Sequence, residues 1–297
     1  MCRLCENEPP IEGSHIIPSF VIKHQKRTSS TGFLRTNDSI NKRSQDAFKA
    51  PMLGQTCEKM LNEWGTPFAT HVYHPWNSGK IKTVAYGDWC LKFAASVSWR
   101  SLTHCMDAFR DKVTHTPDAL ALINKALVHW KAFMLGKRPH PGPFQQHMIM
   151  FDSIAHLPNK SGVPANMNRF LTRDLHINMS HYQGHPLFIF TKMGKIALFG
   201  FIGMSHPRHW IGTQIHVRSG TLGGDISVPK QLWDYLIGRA IVVQQEYDRI
   251  SERQKDTIDK TIEGDLDRFA KSETFQMMQR DVEMFGKESV FKEEKGS

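Results

Sequence analysis

Two cysteines separated by two residues, Cys2-Arg-Leu-Cys5, open this chain, and a third, Cys57, follows fifty residues later. A Cys-x-x-Cys turn aims both sulfurs at one point and is the first half of a zinc knuckle pair. Cys57 stands where the second half would end, but the position three residues earlier is Gly54, so the spacing supplies three ligands of four. His24, His71 and His74 are the candidates for the fourth. No apolar leader precedes the cysteines and no apolar run is long enough to span a bilayer. A cytoplasmic protein with reduced thiols is therefore expected, which favours metal over disulfides. Cys90 and Cys105 read as small buried residues on a helix.

Between the cysteines lies Ser14-His15-Ile16-Ile17-Pro18, a short strand reaching His15 and turning into a helix towards Lys23. Residues 23–50 hold seven basic side chains, Lys23, Lys26, Arg27, Arg35, Lys42, Arg43 and Lys49, against Asp38 and Asp46. This reads as a basic loop or hairpin, and the first six are the candidates for phosphate contact. Residues 55–69 then form a helix with Met60, Leu61, Trp64 and Phe68 on one face, stopped by Pro67. His71–Trp76 follows as an extended connection.

Cys-x-x-Cys, Ser-His-Ile-Ile-Pro, and Cys57-Glu58 opening a helix with Trp64 and Phe68-Ala69 resemble a group of HNH-like (ββα-metal) bacterial proteins. The run Leu91–Arg100 is similar to that group as well. The resemblance covers residues 1–76 and 85–105 and implies a metal-dependent endonuclease module with a structural zinc ion and a catalytic Mg²⁺ or Mn²⁺. It implies His15 as the base for the attacking water, an imidazole suiting that task near neutral pH. Glu58 and Asp46 are then candidate metal ligands, and Asn62, at i+4 from Glu58, would orient His15 or the phosphate. Ser14 replaces the usual metal-binding residue, and Gly54 and Gly65 replace a cysteine and an acid. These departures describe a reduced copy, whose alternative role is a zinc-containing nucleic-acid-binding or protein-interaction module without cleavage.

Beyond residue 80 the pattern is mainly helical to about 143, with helices over 88–110 and from Thr116-Pro117 to Gly136, Thr116 as cap. From 144 the chain turns β-rich, with a buried hairpin over 186–202 and a further strand at Thr213–Val217. Ser219–Gly224 lacks the Lys-Ser/Thr ending of a phosphate loop and reads as a plain turn. His181, His185, His206, Arg208 and His209 form a looser cluster that would bind metal or phosphate. The C-terminal stretch is a helix from Lys230 through Ile250, continuing as charged helix to about Phe285. It is acidic, whereas the rest carries more than the whole chain's net charge of +9. A basic body suits nucleic acid, and the acidic helices suit a protein partner. The expected architecture is α+β in three parts, 1–80, 81–143 and 144–297.

Overall fold

The computed structural model describes residues 1–35, 40–44, 48–108, 115–180, 187–204 and 207–291. In chain order the elements are β1 (Ser14–His15), α1 (Ser19–Arg27), β2 (Lys49–Ala50), α2 (Gln55–Pro67), a π-helical turn (Phe68–Tyr73), α3 (His74–Asn77) and β3 (Thr83–Tyr86). Then come α4 (Trp89–Ala108), α5 (Pro117–Met134), β4 (Gln146–Met150), α6 (Met167–Arg173), β5 (Leu175–Ser180), β6 (Leu187–Met193) and β7 (Ile196–Gly203). A 3₁₀ turn (Pro207–His209), β8 (Gly220–Gly223) and helices α7 (Lys230–Asp248), α8 (Glu252–Glu263), α9 (Leu266–Lys271), α10 (Glu273–Phe285) and α11 (Lys287–Val290) complete the chain. Among the described residues all strand pairs are antiparallel, and the fold is α+β. No helix among the described residues is long and apolar enough to cross a membrane.

The chain divides into two compact units, one of residues 1–19, 48–150 and 175–228, the other of 20–47, 151–174 and 229–297. The boundaries read from sequence, at 80 and 143, both fall inside the first unit. Strand pairing is the reason: β3 pairs with β8 and β4 with β7, tying the helical segment to the later strands.

In the first unit the main sheet runs β4-β7-β6-β5. β6 and β7 meet through a two-residue turn whose first residue, Gly194, has φ +65°, a conformation open to glycine at no steric cost. Phe188, Phe190, Phe199 and Phe201 share one face of this hairpin, packed with Trp210 and His147. At Gly200 an added Cβ would lie 2.6 Å from Ser98 Oγ, so the glycine permits the close approach of α4. Helix α4 is buried almost throughout, as its apolar residues on every side require. Thr116 caps α5 by accepting from Ala119 N at 3.2 Å, as expected.

Pro67 does not end its helix. Phe68, Val72 and Tyr73 are fully buried, and the chain keeps them inward by continuing as a π-helical turn, with His74 N donating to Ala69 O. The π-helical turn carries the helix past Pro67, so His71–Trp76 is helical rather than extended. The Gly-rich run is likewise no plain turn: β8 pairs with β3 because Gly220 leaves room for Tyr86 and Gly223 lies against Lys82 O. Residues Thr213 and Ile215 bond the backbone of β4 beside a single bridge at Gln214, short of a regular strand. Cys90 and Cys105 are buried on α4, and no disulfide joins any of the five cysteines.

In the second unit the charged C-terminal stretch is broken rather than continuous. α8 ends at Gly264, and Asp265 and Ser272 cap α9 and α10 by accepting from Arg268 N and Phe275 N. Asp281, wholly buried, accepts from Asn168 N and Arg169 N and so caps α6 from α10.

Candidate metal centre

Residues 2–11 fold back as a tight loop. Glu6 N donates to Cys2 O (2.9 Å) with Glu6 at φ +62°, and Cys2 N donates to Glu8 O (2.6 Å). The loop is laid onto the approach to α2 by Arg3 N to Met52 O and Ile11 N to Leu53 O, both 2.8 Å. Lys131 on α5 holds it from outside, donating to Glu6 Oε1 (2.6 Å) and Arg3 O (3.1 Å). Cys57, the third residue of α2, is thereby brought to Cys2 and Cys5, across the fifty-residue interval.

A fourth group completes the cluster. The ligand atoms of Cys2, Cys5, Glu8 and Cys57 all lie within 4.8 Å of one another, close enough to hold a metal ion. Tetrahedral zinc with sulfur at about 2.3 Å separates its ligands by roughly 3.8 Å, so a small contraction closes the shell. His71 and His74 stand outside the cluster, exposed on the π-helical turn and α3, and His24 pairs with Glu273 in the other unit. Burial opposes ionisation of Cys2, but the backbone N–H groups of Cys5, Gly54 and Leu4 outweigh it and bring its pKa down to about 7. Cys57 is pushed well up, first by burial and then by hydrogen bonding to the Cys5 and Cys2 sulfurs. Glu8 also accepts from Thr56 N (3.1 Å) and Cys57 N (3.3 Å), serving the start of α2, whose N-cap Gly54 has no side chain to do so. Burial resists its charge, but these donors hold its carboxyl below the usual range.

A second group of residues sits behind this centre. β1 pairs with β2, Ser14 opposite Ala50 and His15 opposite Lys49, and α2 follows. Ser14 is turned inward, its Oγ donating to Leu53 O (3.2 Å) and accepting from Leu53 N (3.0 Å). Arg100, a cation 5% exposed in α4, donates through NH1 to His15 O (2.5 Å) and through Nε to Ser96 O (3.1 Å). Its burial lowers its pKa to about 10, against the opposing charge of Glu58. Arg100 thus bonds the backbone carbonyl of His15 and feels the charge of Glu58, whose Oε1 is buried with no hydrogen-bond partner among the described residues. Asn62 is exposed on the same helix. Asp46 lies outside the described residues.

No protein-family model, curated protein or solved structure matches this chain.

The basic residues singled out from the sequence are spread over the second unit in different roles. Lys23, Arg27 and Lys42 are exposed. Arg43 stacks over Phe33 (4.7 Å) and donates to Thr261 Oγ1 (2.8 Å) on α8, whereas Arg35 is half-buried near Tyr247. Arg208 and His209 lie exposed on the 3₁₀ turn, and His181, His185 and His206 fall outside the described residues. Sequence reasoning missed Glu8 and Arg100. Each left a signal: a carboxylate within one loop of the knuckle, and a lone arginine in an apolar run that otherwise reads as fully buried.

Proposed function

We propose that the N-terminal segment is an HNH-like module, stapled by zinc, and that the chain cleaves nucleic acid as a metal-dependent endonuclease. The observation that carries this reading is Arg100, which holds the backbone carbonyl of His15 and feels the charge of Glu58, beside an antiparallel strand pair followed by α2. The donor set suits Mg²⁺ or Mn²⁺: Glu58 Oε1 is a buried carboxylate oxygen without a hydrogen bond, and such ions take one or two carboxylates, water and substrate phosphate. The bound ion would supply charge stabilisation to the leaving oxygen. His15 takes the proton of the attacking water, Asn62 orients the phosphate, and Arg100 fixes the strand that carries His15. Incubating the full chain with supercoiled plasmid and with RNA tests this. Cleavage with Mg²⁺ or Mn²⁺, lost on His15→Ala, is expected, and an absence of cleavage with either ion refutes it.

Ser14 favours a second reading, binding without cleavage. Its hydroxyl is committed to Leu53 where the resembling module carries a metal ligand. Binding that falls steeply with salt, and is weakened by Lys23→Glu and Lys42→Glu while no cleavage occurs, would select it.

A further inference from the structure

Glycine at position 54 has no conformational cause. Its φ of −83° and ψ of 170° are extended backbone open to any residue. The cause is space. A Cβ built at Gly54 would lie 2.2 Å from both Cγ and Cδ of Glu8 and 2.5 Å from its Oε1, distances that real Cβ atoms essentially never show. The Glu8 side chain thus fills the volume that a residue-54 side chain would occupy at the start of α2. The same carboxylate brings its oxygen among the sulfurs of Cys2, Cys5 and Cys57, with Cys5 Sγ at 3.9 Å.

We infer that Glu8 is the fourth ligand of a structural Cys₃Glu zinc site, and that Gly54 is the void which admits it. Three thiolates select a soft or borderline ion over Mg²⁺ and Ca²⁺, and zinc also accepts a carboxylate oxygen as a ligand. Four anionic ligands leave the filled site at −2, and it sits against the positive N-terminus of α2, whose first amides already face Glu8. Glu8 holds the ion and caps the helix with one carboxylate, so metal binding and the start of α2 are coupled. This inference stands apart from the nuclease reading, because the site is structural whether or not His15 and Glu58 catalyse.

The test is metal content and cobalt substitution of the full chain, purified reduced. Elemental mass spectrometry is expected to find about one zinc per chain. The Co²⁺ form is expected to show a thiolate charge-transfer band of three-sulfur intensity. Glu8→Gln retains the shape and a capping oxygen but donates poorly to zinc, and chelator competition should show affinity falling at least about tenfold. Gly54→Ala, harmless to the backbone, should produce a similar loss by evicting Glu8. The double variant Glu8→Ala/Gly54→Cys should recover affinity and raise the charge-transfer band by about a third, as a four-thiolate site. This recovery separates loss of a ligand from loss of folding. A wild type that takes up neither zinc nor cobalt overturns the inference. So does wild-type affinity in Glu8→Gln, or a double variant that fails to regain the ion while circular dichroism shows it folded.

Discussion

Removing the negative charge beside Arg100 measures how the candidate catalytic residues are held. Arg100 has its pKa lowered from 12.5 to about 10. At 1.36 kcal/mol per unit, its charged form carries a penalty of about 3 kcal/mol even with Glu58 in place. Glu58 supplies the opposing charge, and with its carboxylate partly exposed such an attraction is worth about 2 kcal/mol after screening. Glu58→Gln is therefore expected to destabilise the first unit by about 2 kcal/mol. Arg100→Met relieves the desolvation but takes away the donor to His15 O and the positive charge that faces Glu58, for a net loss of about 2 kcal/mol. Combined, the two should cost about 2 kcal/mol less than their sum, because the second change removes a charge already without its partner. Urea unfolding followed by tryptophan fluorescence reads the first unit selectively, since every tryptophan except Trp233 lies there. Additivity within about 0.5 kcal/mol would refute the coupling of Glu58 to Arg100.

Three further outcomes are expected. Gly200→Ala should cost about 1–3 kcal/mol in urea unfolding, towards the upper end because Ser98, which the new Cβ would strike, is fixed by its 2.6 Å bond to Gln146. Burial, with His216 nearby, lowers the His147 pKa to about 4. A neutral form favoured by folding gives stability that is full above pH 6.5 and lost as pH falls towards 4, so about 2–3 kcal/mol should disappear between pH 7.5 and 4.5, less in His147→Gln. In the second unit, Asp281→Ala should cost about 3 kcal/mol and speed amide exchange at Asn168 and Arg169, whose N–H groups it accepts; unchanged exchange would deny the cap.

Local pattern was enough for some elements. The two continuous apolar runs either side of the Met193–Ile196 turn defined β6 and β7, and Thr116-Pro117 marked the start of α5, because run length and capping are properties of neighbours in the chain. The charged C-terminal stretch defeated the same approach, since its apolar spacing ran on through Gly264 and Ser272, where side-chain caps begin new helices.

The three cysteines by themselves determined that a metal could join residue 2 to residue 57, because thiolate chemistry needs no fold to be recognised. Which group completes their cluster was decided only in three dimensions, by the 2.2 Å conflict between Glu8 and any side chain at position 54. Arg100 beside His15 and Glu58 is of the same kind. A buried charge finds its partners through space, and the eighty-five residues separating His15 from Arg100 carry no period that announces the pairing.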